Sequence, residues 1–327
     1  MKIETLAGLD PVEPARWNAL VAESRARSLF LTAQWQTQWL RAFGAGRPLR
    51  VLAATDATET LAGLLPLYED APGLWRIVGG VDVSDYLDLI AAPGREEEVW
   101  EALLQHRAAE RSVWHLRGIR ADSPSATRLP GLAPAHGLTC TVEREERCPV
   151  LRLPESWDVY LGTLSGKDRH ELRRKMRKLE AELPDVRVRS VTAPAEMDAA
   201  LTHFLRLHRL SRTGKAKFMD ERMERFFRDA LRALAEAGWV RLWFLDSGPA
   251  PVASFICTEY GDSIGLYNSG FDPAHSRLAP GIVLLGHVIR DAIERRVPTF
   301  DFLRGDEPYK YAFGPTPTDL MSLRIAP

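Results

Sequence analysis

Cysteine is nearly absent. Cys140, Cys148 and Cys257 are the only three in a chain of 327 residues. An odd, low number at those spacings makes neither a disulfide framework nor a zinc pattern, and it suits a reducing compartment. Long apolar runs are missing as well. The longest, Ile282–Leu285 after Gly281, is far below the roughly 18 residues a spanning helix needs. The opening MKIETLAGLD lacks the apolar core of a signal peptide. A cytoplasmic protein without a transmembrane segment is therefore expected. Nor is there an excess of charge of one sign. Forty-three Lys+Arg against 44 Asp+Glu leave a net charge of -1, which argues against a strongly basic nucleic-acid binder and against an acidic solvating chain. No Ser/His/Asp order, Cys/His pair, phosphate-loop signature or metal-ligand spacing stands out, so no metal is expected.

What is present is core material. Hydrophobic residues make up 45% of the chain, with 12 Phe, 9 Trp and 7 Tyr. The length suits two domains of about 150 residues each. Strand-like and helix-like runs alternate throughout. Trp35 and Trp39 lie four apart on one helical face, and Leu87–Ile90, Leu138–Glu145 and Pro149–Leu153 read as strands. This is a mixed α/β pattern with strands too often adjacent for a pure βαβ repeat.

An internal repeat organises it. Pro93-Gly94 opens the helical run Glu96–Ala109, which leads to Leu116-Arg117-Gly118. Pro280-Gly281 opens a helical run to Arg296, which leads to Leu303-Arg304-Gly305. The five matched pairs are each 187 positions apart. Two copies of one fold in tandem explain this, with domains expected at 1–150 and 151–327.

Three groups of residues carry candidate chemistry, all in the second half. The first is the helix start at Pro280-Gly281, with His275 and Arg277 in the loop before it. Free backbone donors and the helix dipole favour a phosphate there, although a proline-initiated helix packed on a sheet has the same look. The second is a basic helix. Ser165-Gly166-Lys167-Asp168 reads as a capping box, and Leu172, Met176, Leu179 and Leu183 form a narrow apolar stripe. Around the stripe stand Lys167, Arg169, Arg173, Arg174, Lys175, Arg177 and Lys178, against Asp168 and Glu171. Such a face meets phosphates, RNA or an anionic surface, or is simply a solvated face. The third is Asp301-Phe302-Leu303-Arg304-Gly305-Asp306-Glu307-Pro308-Tyr309-Lys310, with groups suited to proton transfer and oxyanion stabilisation, or to a structural Asp301–Arg304 ion pair. The first copy has Trp114 and His115 where Asp301 and Phe302 stand and lacks the Tyr-Lys continuation, so it is expected to be non-catalytic. Glu259, Tyr267 and Asn268 end strands and are candidates to line a cleft. His208 is a weaker one.

The run Ser165-Gly166-Lys167-Asp168-Arg169-His170-Glu171-Leu172-Arg173-Arg174-Lys175 resembles the opening of CelD-type acyltransferases of the GNAT superfamily, relatives of the FemAB/FemX transferases. The likeness continues through Phe204–His208, Gly238–Leu245, Tyr267–Asp272, Ala279-Pro280-Gly281 and Phe300–Lys310. It implies two tandem GNAT-like domains and transfer of an acyl group to the amine of a small molecule or cell-envelope precursor. It also implies acetyl-CoA or another acyl-CoA as donor. The donor residues are then Asn268, Gly270, Arg277, Ala279, Gly281 and Ile282, with Ala279-Pro280 replacing one glycine of the family's phosphate loop. On this reading Asp301 or Glu259 acts as base and Tyr309 or Tyr267 as acid, while Lys310 or Arg304 stabilises negative charge. Arg173, Arg177, His208 and Arg304 are expected to contact the acceptor. The Fem relatives use aminoacyl-tRNA instead, for which the basic helix 167–178 is a natural contact. A non-catalytic scaffold in polysaccharide assembly is the third reading.

Overall fold

A computed structural model describes residues 1–80, 82–211 and 213–327. The chain starts with β1 (Lys2–Leu6), α1 (Pro14–Glu23), α2 (Ala33–Phe43), β2 (Leu49–Thr55), β3 (Leu61–Ala71) and β4 (Leu74–Ile77). It continues with β5 (Ile90–Ala91), α3 (Glu96–Arg107), β6 (Val113–Arg120), α4 (Pro124–Leu132) and β7 (Thr139–Arg152). Then come α5 (Trp157–Thr163), α6 (Gly166–Glu182), β8 (Val186–Val191), α7 (Pro194–Ser211), α8 (Thr213–Phe218) and α9 (Glu221–Glu236). The last elements are β9 (Val240–Ser247), β10 (Ala250–Tyr260), β11 (Ser263–Phe271), α10 (Pro280–Glu294), β12 (Thr299–Asp301), α11 (Pro308–Tyr311) and β13 (Thr316–Ala326). Two compact units result, residues 1–147 with 318–327, and residues 148–317. No helix among the described residues is long and apolar enough to cross a membrane.

In the first unit the strand order is β1-β2-β3-β4-β6-β13, followed by the opening residues of β7. The return of β13 has a plain cause. Leu320, Leu323 and Ile325 are buried, and pairing with β6, where Leu320 faces Arg120 and Ile325 faces Trp114, satisfies their backbone. Trp17, Trp35, Trp100 and Trp114 are among the largest fully buried side chains. The strand pair expected over Leu138–Glu145 and Pro149–Leu153 is one strand, β7, and most of the strand expected at Leu87–Ile90 is irregular loop.

That loop holds a buried carboxylate. Asp88 accepts hydrogen bonds from the hydroxyls of Ser123 and Ser125 and from the Leu89 amide (2.7 Å), and Ser125 accepts from Trp100 Nε1 (3.0 Å). Burial pushes the Asp88 carboxyl up to about 6, because the hydroxyl and amide donors only partly offset the loss of water. A carboxyl whose pKa is raised by folding binds its proton more tightly in the folded state. Its ionisation therefore destabilises the unit as pH rises from the ordinary carboxylate range through 6. Asp88→Asn is expected to remove this dependence. In urea unfolding between pH 4.5 and 7.5, the difference between wild type and variant should change by about 2 kcal/mol across the window. A constant difference would show that Asp88 titrates normally.

In the second unit the order is β12-β11-β10-β9-β8, with the end of β7 beside β12. Trp243, Leu245, Phe255 and Cys257 join one apolar cluster with Leu172 and Leu179 of α6 and Leu284, Leu285 and Ile289 of α10. The intervening Phe244 meets His203 of α7, with ring centroids 6.5 Å apart. Because side chains alternate along a strand, α6 and α10 cover one face of the sheet and α7 covers the other. Local signals agree with this packing. Ser165 caps α6 by accepting from the Asp168 amide (3.1 Å), and Asp220 caps α9 by accepting from Met223 (2.8 Å). Phe226, Phe227, Ala230, Leu231 and Leu234 form the buried stripe of α9.

Candidate active site

The strands β11 and β12 are parallel neighbours for only three residue pairs: Ser263 with Thr299, Ile264 with Phe300 and Gly265 with Asp301. Beyond this β12 ends, whereas β11 runs on from Leu266 to Phe271, about 20 Å at the usual strand rise. A wedge therefore opens beside the second half of β11. On the other edge of β11, Ile256 of β10 faces Asn268 while Cys257 faces Leu266, which leaves Tyr267 as the extra residue of a β-bulge. A bulge takes a residue out of register and re-aims the backbone after it, and here it does so where the wedge opens. The Tyr267 ring stacks on Phe227 of α9, with centroids 5.8 Å apart.

Helix α7 crosses close behind this segment. A Cβ on Gly270 would sit 2.4 Å from the His208 amide nitrogen and 2.7 Å from the Leu207 carbonyl carbon. His208 is buried, stacks on Phe204 and donates from Nδ1 to the Ser269 carbonyl (3.1 Å). Asn268, Gly270 and His208 are thus brought together.

The loop after β11 ends at Ala279 in the left-handed conformation (φ 49°), and α10 starts at Pro280 with no side-chain cap. Its first turn offers few donors. Pro280 has no N–H, and the Ile282 and Val283 amides both point to the Ala279 carbonyl (3.0 and 3.1 Å). The Gly281 N–H makes no hydrogen bond outside the helix among the described residues, and a Cβ there would meet nothing within 4 Å. Cations stand beside this opening. Arg277 pairs with Glu182 of α6, and Lys178 Nζ approaches the Arg277 carbonyl at 3.5 Å.

On the far side of the wedge lies the turn after β12. Asp301 is buried, and its Oδ1 accepts from the Leu303 amide (2.7 Å). Leu303 (φ 54°) and Gly305 (φ 116°) both take positive φ. The turn is held by Lys310, which is only 3% exposed. Its ammonium donates to the carbonyls of Leu303 (3.4 Å), Arg304 (3.0 Å) and Gly305 (3.0 Å) and pairs with Glu307 (2.9 Å). Four acceptors around three N–H donors commit this group to the turn, which suits a clamp. Arg304 is half-buried on the turn and Tyr309 is exposed beside it.

Glu259 stands elsewhere. It lies opposite Ile264, at the end of β11 away from Asn268, and binds Arg241 (2.7 Å) and both terminal nitrogens of Arg295 (2.7 Å each). Burial by itself raises its pKa, but the hydrogen bonds from Arg295 and Arg241 outweigh that and hold the carboxyl below its usual range. A carboxylate stabilised in this way is a weak proton acceptor. Arg173 and Arg177 are on the exposed face of α6, opposite its buried Leu172 and Leu179. The bulge at Tyr267 and the Lys310 clamp have no sequence signature beyond the residue types themselves.

Residues 166–311 match the family model described as Acetyltransferase (GNAT) domain. No curated protein matches the chain. Among solved structures, FemX is similar over 98% of this chain and 96% of its own, at TM-score 0.67 and 12% identity. The C-terminal domain of a protein assigned as a lysylphosphatidylglycerol synthetase from Agrobacterium fabrum is similar over 95% of this chain and 90% of its own, at TM-score 0.60 and 10% identity. A tandem GNAT protein from the clavulanic acid biosynthesis pathway is similar over 99% of this chain and 98% of its own, at TM-score 0.50 and 15% identity. At these identities the likeness is one of fold.

Proposed function

We propose that this chain, which has a tandem GNAT fold and matches the GNAT acetyltransferase family model over residues 166–311, is an acyltransferase whose second unit transfers an acyl group from acyl-CoA to an amine. The observation that carries the proposal is the wedge between β11 and β12 with a β-bulge on its wall. Acyl-CoA, when bound, supplies an activated thioester carbonyl. At the start of α10 the residues fit a phosphate more by charge than by an amide cradle. The Gly281 N–H, Arg277 and Lys178 would hold it, in the open space before Gly281. The Ser269 N–H, which donates to Asn268 Oδ1 (2.9 Å), would polarise the donor carbonyl once the Asn268 side chain turns away, as negative charge develops on its oxygen. Asp301 would take the proton of the attacking amine through water, and Tyr309 would return one to the leaving group. The acceptor we propose is an amine of a small molecule or of a cell-envelope precursor.

The first unit we read as non-catalytic. Its counterpart of the wedge, between β4 and β6, is occupied by its own chain. The pairing is limited to Leu74 with Val113 and Trp75 with Trp114, and the Leu87 amide then donates to the Gly118 carbonyl (3.1 Å). Ser84, Leu87 and Asp88 are buried there.

Calorimetric titration with acetyl-CoA and with CoA tests the donor assignment. Saturable binding is expected, weakened at least about tenfold by Gly281→Trp and by Arg277→Glu, and weakened by salt because charge does most of the holding. No heat at millimolar CoA, or unchanged affinity in both variants, would remove the donor from this site.

A further inference from the structure

The outer face of α6 carries a concentrated positive charge. At 100° per residue, Lys167, His170, Arg173, Arg174 and Arg177 fall within one arc of about 120°, centred opposite the buried Leu172 and Leu179. From Lys167 to Arg177 the row is about 15 Å long. Of the acids on this helix, Glu171 and Glu182 are engaged, Glu171 with Arg174 of the arc itself, and the exposed Glu180 flanks the arc. Glu171 binds Arg174 (2.8 Å) and Lys175 (3.4 Å), and Glu182 binds Arg277 and Lys178. Lys167, Arg173 and Arg177 make no ion pair among the described residues, and all three are exposed. The span 167–178 holds seven cations and two acids, a charge of +5, whereas the whole chain is -1; the rest of the protein is therefore -6.

We propose that this face of α6 docks the protein on the surface of an anionic phospholipid bilayer. A straight helix lying flat on a plane brings every cation of one arc to the headgroups together. The arc has no exposed aromatic or large aliphatic side chain. Insertion into the acyl region is thereby excluded, and the contact is an electrostatic one that salt reverses. The same lack removes the stacking platforms on which single-stranded nucleic acid is held. Arg173 and Arg177 are also expected acceptor contacts, but vesicle binding is read without acyl transfer, so its outcome does not depend on that assignment.

Co-sedimentation of the full chain with vesicles tests it. With phosphatidylcholine alone no binding is expected. With about 30% phosphatidylglycerol at about 50 mM salt, binding is expected, and it should be lost at about 500 mM salt. The triple variant Lys167→Glu, Arg173→Glu, Arg177→Glu should partition at least about 100-fold less, given the contribution of each cation near such a surface. These positions are exposed, so unchanged circular dichroism and melting would show that the fold is intact. The proposal is overturned if wild type ignores anionic vesicles at low salt, or if the folded triple variant binds them equally well. It is also overturned if a duplex RNA competitor binds wild type more tightly than the vesicles do, which would assign the face to nucleic acid.

Discussion

Gly270→Ala is expected to unfold the second unit or to destabilise it by about 3 kcal/mol or more. The new methyl would sit 2.4 Å from the His208 amide nitrogen and 2.8 Å from the His208 Cα. Those are backbone atoms inside α7, so no side-chain rotation relieves the overlap. Either α7 or β11 must move, and both contribute to the core: Phe204, Leu205 and Leu207 of α7 are buried, as is Leu266 of β11. Overpacking of this kind lies at the severe end of the range for single substitutions. Gly281→Ala is the matched control, since a Cβ there meets nothing within 4 Å and the residue is already in a helix. Urea denaturation followed by far-ultraviolet circular dichroism measures both. Equal midpoints for Gly270→Ala and wild type would mean that α7 does not approach β11 as closely as described.

Lys310→Met is the second large effect. Methionine keeps the length and the buried packing but removes the ammionium's role as donor. The carbonyls of Leu303, Arg304 and Gly305 lose a shared partner, and Glu307, about half exposed, turns to water. Orphaned carbonyls in a partly buried turn cost about 1 kcal/mol or more each, so a loss of about 3 kcal/mol is expected for the unit. Leu303 holds an unfavourable positive φ only while such contacts enforce it. Relaxation of the turn would shift Asp301 and Arg304 beside the wedge, and a displacement of about 1 Å at a reacting group lowers turnover by about 100-fold. Chemical denaturation reads the first effect, and single-turnover acyl transfer reads the second. A variant with an unchanged midpoint and full turnover would show that the turn holds itself.

Much of the second unit is legible along the chain because its signals are local. The capping box at Ser165 and the basic run 167–178 are found on one helix, Gly166–Glu182, since the Ser165 cap and the Leu172 and Leu179 positions act within one or two turns. Tyr267 and Asn268, read as strand ends, lie within the strand Ser263–Phe271, and the tandem repeat rests on residue identities alone. The two strands read at Leu138–Glu145 and Pro149–Leu153 are one continuous strand, β7. Most of Leu87–Ile90, apolar enough for a strand, is loop: the Leu87 amide donates to the Gly118 carbonyl, and only Ile90 joins a ladder, opposite Leu64 of β3.

The candidate site divides along the same line. Residue types alone placed Asp301, Arg304 and Lys310 in one segment, and Pro280-Gly281 at a helix start, because neighbours in sequence stay neighbours in a turn or a cap. What Lys310 and Glu259 are committed to could not be read that way. Lys310 is spent on carbonyls that converge only when the chain reverses after β12, and Glu259 on guanidinium groups 18 and 36 positions away. The bulge at Tyr267 is a property of register between two strands, not of either strand. Helix, cap and repeat are set by short-range periodicity and side-chain chemistry. The wedge, the clamp and the availability of each charged group depend on which distant segments meet, and only the tertiary structure decides that.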